Sequence, residues 1–344
     1  MPDRIKASVT DIFNRPLRDL RISVTDRCNF RCRFCMPPDR VYQFLPRSEI
    51  LTFEEIARLA RLFADCGVRK IRITGGEPLL RRDLEKLVAM LANIDGVEEL
   101  ALTTNGTLLA DKARVLKAAG LNRVTISLHA LDDQLFGYLN GRGEGTHRVI
   151  QAIDTALEIG LSPVKLNTVV IRGVNDQRLI DLAAFARERG VIIRFIEYMD
   201  VGTLNGWDPA TVVPAREIVE TITRVWPADP ILSDNPHEVA RRFRYRDRDL
   251  EFGVIASVTQ PFCRTCSRIR LSADGRVYTC LFASYGHDLK TILRAGATDD
   301  RIRERILSIW RRRMDRYSEE RAVMVKDASI HPRRARVEMF HIGG

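Results

Sequence analysis

From about Leu20 to Glu197, short β-branched and apolar runs alternate with longer amphipathic stretches, the rhythm of parallel strands joined by crossover helices. Strands are predicted at Leu20–Thr25, Lys70–Thr74, Leu100–Thr104, Arg123–Leu128, Val164–Val170 and Val191–Glu197. Helical periodicity fills the gaps at Thr52–Ala64, Arg82–Leu91, Lys112–Ala118, His147–Ile159 and Leu179–Glu188. Such units build either an open doubly wound sheet or a barrel short of the usual eight strands. The polar residues favour the barrel. Thr74-Gly75-Gly76-Glu77, Thr103-Thr104-Asn105-Gly106, Ser127 and Glu197-Tyr198-Met199 all fall at C-terminal ends of predicted strands, the rim where barrel active sites are built. The expected fold class is α/β, an incomplete (βα)6 TIM-type barrel.

Past Trp226 the pattern changes. Pro227, Pro230 and Pro236 interrupt the chain, strand-like material runs from Val239 to Val258, and Leu271–Thr279 reads as a hairpin turning at Asp274-Gly275. A long charged helix over about Asp300–Tyr317 follows, then a tail from Ala328 that is basic, then apolar, and ends in Gly343-Gly344. The expected organisation is a partial barrel over 12–226 and a smaller C-terminal α+β domain over 227–344.

Composition narrows the class. The 344 residues are 45% hydrophobic and 29% charged, which excludes a disordered chain, and no apolar run approaches the roughly 18 residues that cross a bilayer. The N-terminus lacks the apolar core of a secretory signal, so a cytoplasmic location is expected. Fifty-five Lys and Arg against 45 Asp and Glu leave a net +10, which points to an anionic partner without choosing one.

Cysteine placement is the sharpest signal. Six of the seven cysteines form two sets, Cys28/Cys32/Cys35 and Cys263/Cys266/Cys280, while Cys66 sits alone on a predicted helix and reads as a small buried apolar group. Cys28-Asn-Phe-Arg-Cys32-Arg-Phe-Cys35 follows the first strand directly. Three thiolates in one tight loop hold three irons of a cubane and leave the fourth open to a ligand, whereas electron-transfer clusters are normally closed by four cysteines. Zinc is the plainer alternative, and no nearby histidine completes its tetrahedron.

The second set, C-x2-C-x13-C, again supplies three ligands; His287, before a helical start, reads as a surface residue. It suggests a site where a substrate meets iron. Arg268 and Arg270 lie on one face of a predicted strand beside it, two planar cationic forks suited to a polyphosphate.

On the first loop, with Phe34 in the aromatic position of C-x3-C-x-aromatic-C, the chain resembles the radical S-adenosylmethionine (SAM) enzymes. That resemblance implies a 4Fe-4S cluster whose open iron binds SAM, and a 5′-deoxyadenosyl radical formed by reductive cleavage. It places Phe34 beside the adenine, Gly76 and Glu77 at the SAM amino group, and Ser127 and Met199 at further SAM contacts.

The segments Leu20–Cys32, Arg72–Leu79, Thr103–Gly106 and Arg194–Glu197, with the second cysteine set, Arg268, Arg270 and the terminal Gly343-Gly344, resemble the GTP 3′,8-cyclase family of molybdenum cofactor biosynthesis. The resemblance spans nearly the whole chain. It implies a second 4Fe-4S cluster in the C-terminal domain that binds guanine, and a triphosphate met by Arg21, Arg72, Lys165, Arg268 and Arg270 with Thr103. Abstraction of the ribose 3′-hydrogen would precede attack on C8. Arg21, Arg268, Arg270, Gly343 and Gly344 are the expected catalytic set. An external electron donor and a downstream cyclic pyranopterin monophosphate synthase are the implied partners, with no nucleic acid or membrane, for a monomer or a homodimer.

His129 stands where an acidic residue is expected in many relatives, and the sequence assigns it no role. Two rival readings carry less. A peptide-modifying maturase with extra clusters needs no triphosphate-binding pair. A zinc-stabilised nucleic-acid binder leans on Arg311-Arg312-Arg313 and Arg333-Arg334, which read more simply as solvated surface beside acids such as Glu319-Glu320.

Overall fold

The computed structural model describes residues 9–232, 235–324 and 335–344. Six parallel strands follow one another in chain order: β1 (Asp19–Ser23), β2 (Lys70–Thr74), β3 (Glu99–Thr104), β4 (Arg123–Ser127), β5 (Lys165–Val170) and β6 (Ile192–Glu197). Each lies within two residues of its sequence expectation at either end. The C-terminal part extends this core on both sides. It comprises the strands β7 (Ala228–Ile231), β8 (Arg241–Tyr245), β9 (Glu251–Ile255), β10 (Arg268–Leu271), β11 (Arg276–Tyr278) and β12 (His287–Asp288). Among them, β9 pairs parallel with β6 and β10 pairs parallel with β1, giving one twelve-stranded sheet in the order β12-β11-β10-β1-β2-β3-β4-β5-β6-β9-β8-β7. The chain beyond 226 therefore shares the barrel's sheet through hydrogen bonds to both of its edges.

Strand sequences explain which way the sheet faces. In Asp19-Leu20-Arg21-Ile22-Ser23, Lys70-Ile71-Arg72-Ile73-Thr74 and Arg268-Ile269-Arg270-Leu271, the apolar residues alternate with polar ones. Leu20, Ile22, Ile71, Ile73, Ile269 and Leu271 are fully buried in the hydrophobic core, each contributing about 2 kcal/mol. The alternate positions carry Arg21, Arg72, Arg268 and Arg270 onto the opposite face, where they line one cavity together with residues of β6 and β9. Strands from opposite ends of the sheet can share a cavity only if the sheet curls around it. A barrel interior filled with cations in place of branched apolar side chains is built to hold something else.

Helices cover the outer face: α1 (Phe53–Asp65), α2 (Leu84–Ala92), α3 (Leu109–Ala118), α4 (Asp133–Asn140), α5 (His147–Glu158), α6 (Leu179–Arg189) and α7 (Ala215–Val225). The start of α1 is written locally, as a capping box in which Glu55 N donates to Thr52 Oγ1 at 3.2 Å and Thr52 N donates to Glu55 Oε2 at 2.8 Å. By contrast, the sequence reading missed α7. Its first N–H, on Ala215, donates to Glu197 Oε1 at 2.8 Å, a cap supplied from β6 eighteen residues away. Short α4, which carries Gly137 within it, was missed as well.

Three further expectations need correction. The charged stretch over about 300–317 is two helices, α9 (Asp299–Arg311) and α10 (Tyr317–Met324), preceded by the short α8 (Lys290–Arg294). The break lets Arg313, which is 4% exposed, turn inward; it is not part of a solvated surface, although Arg311 and Arg312 are exposed. His287 does stand just before a helix, α8 starting at Lys290, but it is half-buried on β12, paired with Val277, and is not a surface residue. Finally, the hairpin forms where expected, β10 pairing antiparallel with β11, but its turn spans the four residues Ser272 to Gly275, with Asp274-Gly275 as the last two. Arg333-Arg334 lie outside the described residues. The last element is the short α11 (Met339–Ile342), whose Phe340 and Ile342 are buried.

Candidate active site

The first cysteine loop is set by its neighbours. Arg31 N donates to Asn140 O at 2.8 Å and Arg33 N to Leu139 O at 3.2 Å, tying the loop to the end of α4. Within it, Cys35 N and Met36 N both donate to Cys32 O, and Phe30 N lies 3.4 Å from Cys28 Sγ. All three thiols are free and line the cavity. Burial, then the charge of Glu77, pushes Cys28 up to about 12; burial and the sulfurs of Cys28 and Cys35 raise Cys32 well above its ordinary value. Three soft donors that cannot ionise alone are a set that a cationic metal group would stabilise. Among the described residues no three His, Cys, Asp or Glu side chains close on a single-ion position, and a cubane spreads its thiolates across separate corners. The donor set fits an iron-sulfur cluster.

Beside it, Glu77 is almost fully buried. Its carboxylate accepts from Thr104 Oγ1 (2.7 Å), Asn105 N (2.8 Å) and Leu79 N (3.1 Å). Burial outweighs these bonds and pushes Glu77 up to about 7. The carboxylate thus stitches the Gly75-Gly76 turn to the end of β3 and keeps one acceptor site for a ligand.

The second loop runs from β9 into β10. Its cysteines are free, and Cys266 is held by two cations: Arg313 donates from Nη1 to Cys266 O at 2.6 Å and from Nη2 to its Sγ at 3.2 Å, while Arg268 Nε lies 3.3 Å from the same sulfur. Burial alone would raise this thiol; Arg268 and Arg313 overcome it and bring Cys266 down to about 6. Burial leaves Cys280 up at about 12. Arg15, 1% exposed and paired with Asp11 at 2.5 Å, donates to Cys263 O at 2.9 Å and to Asp315 O at 2.8 Å. These three cysteines likewise suit a cluster.

Between the loops lies a cavity of about 300 Å³. It gathers all six cysteines of the two sets with Phe34, Gly76, Glu77, Ser127 and Met199 on one side, and Arg21, Arg72, Thr103, Arg268, Arg270 and Gly344 on the other parts of its wall. Gly343 is not on its wall, but its carbonyl oxygen accepts from Nη1 of Arg270, which is. Lys165 does not line this cavity. It lies in an adjoining pocket of about 270 Å³ at the strand starts, whose wall shares Arg21, Arg72, Arg194 and Arg268 with the upper cavity.

Electrostatics single out this wall. Burial, with repulsion from Arg268 and Arg72, lowers Arg21 to about 9; burial and Arg123 lower Arg72 to about 9; burial and Arg194 lower Lys165 to about 7. Cations packed until they repel one another are stabilised by a bound polyanion.

Several residues at the site escaped the sequence reading. Arg194 and Asn167 point into the cavity region with Arg194 Nε and Asn167 Oδ1 lacking a hydrogen-bond partner among the described residues. The alternating pattern of β5 and β6 carried that signal. Lys70 and Arg123 line the lower pocket, held by Glu99. His129 is buried against Phe34, ring centroids 4.8 Å apart, and its Nδ1 accepts from Val169 N at 3.1 Å. Burial lowers it to about 4, so it is a neutral ring. Cys66 is buried in the core as expected.

Residues 22–186 match the family profile of the radical SAM superfamily, and residues 191–319 match that of Molybdenum Cofactor Synthesis C. Among solved structures, Streptococcus suis SuiB bound to its precursor peptide shares the fold, with a TM-score of 0.60 at 18% identity over 90% of this chain and 68% of that one. Fold, cysteine loop and profile together make this chain a radical SAM enzyme with a SAM-dependent iron-sulfur site. Its relatives are more specific. A GTP 3′,8-cyclase of Acidothermus cellulolyticus is 55% identical over 98% of this chain and 99% of its own length, and that of Staphylococcus aureus is 46% identical over the same shares. The chain belongs to the GTP 3′,8-cyclase family.

Proposed function

We propose that this protein is a radical SAM lyase that converts GTP to 3′,8-cyclo-7,8-dihydroguanosine 5′-triphosphate in molybdenum cofactor biosynthesis. The observation that carries the reading is the cavity onto which both cysteine loops and the buried arginines Arg21, Arg72, Arg268 and Arg270 open. Cys28, Cys32 and Cys35 would hold one 4Fe-4S cluster, and Cys263, Cys266 and Cys280 a second. With SAM bound at the first, the site supplies hydrogen-atom abstraction from a substrate carbon.

The chain's own groups then have positional tasks. Phe34, Gly76, Glu77, Ser127 and Met199 hold SAM, with the Glu77 carboxylate accepting from its ammonium group. The guanine faces the second cysteine set. Arg21, Arg72, Arg268 and Arg270, with Thr103, orient the phosphates, and the walls shared by the two pockets allow the triphosphate to extend toward Lys165. Gly343-Gly344 press the ribose side of the cavity closed, which excludes water and stray hydrogen donors. Reducing equivalents come from an external donor, and a separate cyclic pyranopterin monophosphate synthase takes the product. No helix among the described residues is long and apolar enough to cross a membrane, consistent with the cytoplasmic location we propose.

The test is anaerobic reconstitution with iron and sulfide, then incubation with SAM, GTP and a chemical reductant. Two clusters correspond to about eight irons per chain, and 5′-deoxyadenosine should form only when GTP is present. Bound zinc without iron, or SAM cleavage stimulated by a peptide and not by GTP, would overturn the reading.

A further inference from the structure

The carboxyl-terminal segment, residues 335–344, reaches the cavity over a surface loop that no catalytic role has claimed. That loop follows β6. It opens with Met199 on the cavity wall and is shaped from within: Asn205 Nδ2 donates to Met199 O at 2.9 Å and Tyr198 Oη to Asn205 O at 2.7 Å. The next residue, Asp200, turns away from the cavity into a knot of charges. Its carboxylate accepts from Tyr317 Oη at 2.5 Å, from Arg321, and from Arg336 Nη1 at 2.7 Å; Arg336 donates to the Asp200 carbonyl oxygen as well. The Asp200 and Arg336 side chains are only 11% and 13% exposed.

Two residues beyond Arg336 and three beyond Asp200, a second clasp forms. Glu338 Oε1 accepts from Thr203 N and from Thr203 Oγ1, both at 2.8 Å. Gly202 makes room for it. With φ at +68°, it adopts a left-handed conformation, and a Cβ there would fall 2.1 Å from Glu338 Oε2. Between the clasps, Val337 N donates to Ala283 O at 3.0 Å.

A chain end whose only regular element among its described residues is the four-residue α11 cannot hold its own place, because ordering it costs backbone freedom that so short a helix does not return. We infer that Asp200, Gly202 and Thr203 form a seat for Arg336 and Glu338, and that this seat fixes how far the last two glycines reach into the cavity. The seated residues are positioning residues: none of them lines the cavity, and each acts through the six to eight residues of tail beyond it. Naming the cavity as the GTP site rests on the proposed function, whereas the seat is a property of the chain alone.

The experiment reads the tail directly. The full-length protein, anaerobically reconstituted, is exposed to a carboxypeptidase, and loss of Gly344 and Gly343 is followed by intact mass. Arg336→Leu leaves Asp200 its bonds from Tyr317 and Arg321, so the fold retains its buried partners. Arg336→Leu and Glu338→Gln are expected to shed the glycines roughly tenfold faster than the parent, in line with loss of a charge-assisted contact. Arg336→Lys should fall between the parent and Arg336→Leu, and Gly202→Ala should match Glu338→Gln by displacing the carboxylate. Iron content and thermal midpoint serve as controls for the fold. Equal digestion of the parent and all four variants would overturn the seat, since the tail would then be held by the cavity contacts alone. Absence of GTP-dependent turnover would overturn the proposed function and leave the digestion result standing.

Discussion

Arg313 and Cys266 are joined twice, backbone carbonyl to Nη1 and sulfur to Nη2, although Arg313 lies forty-seven residues downstream in a run that reads as solvated surface. The guanidinium is buried and stands opposite Arg268 at the same sulfur. Replacing it with Leu removes two hydrogen bonds from a charged donor, worth about 1.5–3 kcal/mol each. On the proposed two-cluster reading, Arg313→Leu is expected to lose the cluster of Cys263, Cys266 and Cys280 selectively, with iron falling from about eight toward about four per chain. Iron and sulfide analysis with electron paramagnetic resonance checks this; full iron content would show that the cysteines hold their cluster without help.

Lys165 gives a pH signature. Burial and the charges of Arg194 and Arg123 lower it from its ordinary 10.5 to about 7. Between those two values the unfolded chain holds a proton that the folded chain lacks, so through this group stability rises with pH across that window. A bound polyanion favours the charged ammonium and reverses the shift. GTP binding should therefore take up a proton near pH 7 and weaken as pH rises beyond it. Calorimetry in two buffers of different ionisation enthalpy measures the uptake, which should vanish in Lys165→Met. Uptake that persists in the variant would assign the proton elsewhere.

Glu77 separates binding from cluster assembly. Its carboxylate touches no cysteine ligand by hydrogen bond, and it accepts from Thr104, Asn105 and Leu79. Glu77→Gln removes the charge that would meet the SAM ammonium. Affinity for SAM should fall by roughly tenfold or more, the scale of one charge-assisted hydrogen bond, while iron content stays at the parent level. Unchanged SAM affinity by equilibrium binding would leave Glu77 as a fastener of the turn.

Gly343 sits at φ +73°, where a Cβ would fall 2.2 Å from Thr74 Cγ2. Gly343→Ala should abolish GTP-dependent 5′-deoxyadenosine formation, as should deletion of Gly343-Gly344, with both clusters retained. Removing the methyl in Thr74→Ser relieves the clash but not the backbone strain, so the double variant should recover only part of the rate. Full activity in Gly343→Ala would return these glycines to an ordinary chain end.

Much of this site was legible because its chemistry is local. The six cysteines, Gly75-Gly76-Glu77 and the alternating Arg268-Ile-Arg270 announce themselves over a few residues, and the period of the β1 to β6 units follows from strand and helix periodicity. What was missed depends on distant partners. Helix α7 takes its cap from Glu197, His129 gains its neutral state from burial against Phe34, and Arg194 becomes a cavity residue only when the sheet curls.

The sequence by itself determined the donor sets and the order of the parallel strands, since both are written in spacing and alternation. Tertiary structure decided which distant groups share a space. It brought β10 beside β1 and β9 beside β6, turned Arg313 onto Cys266, and placed the chain terminus against Arg270. The physical reason is that periodicity records which face of an element is apolar, whereas the partner that face or charge finds is fixed only by packing and by the cost of leaving a buried charge alone.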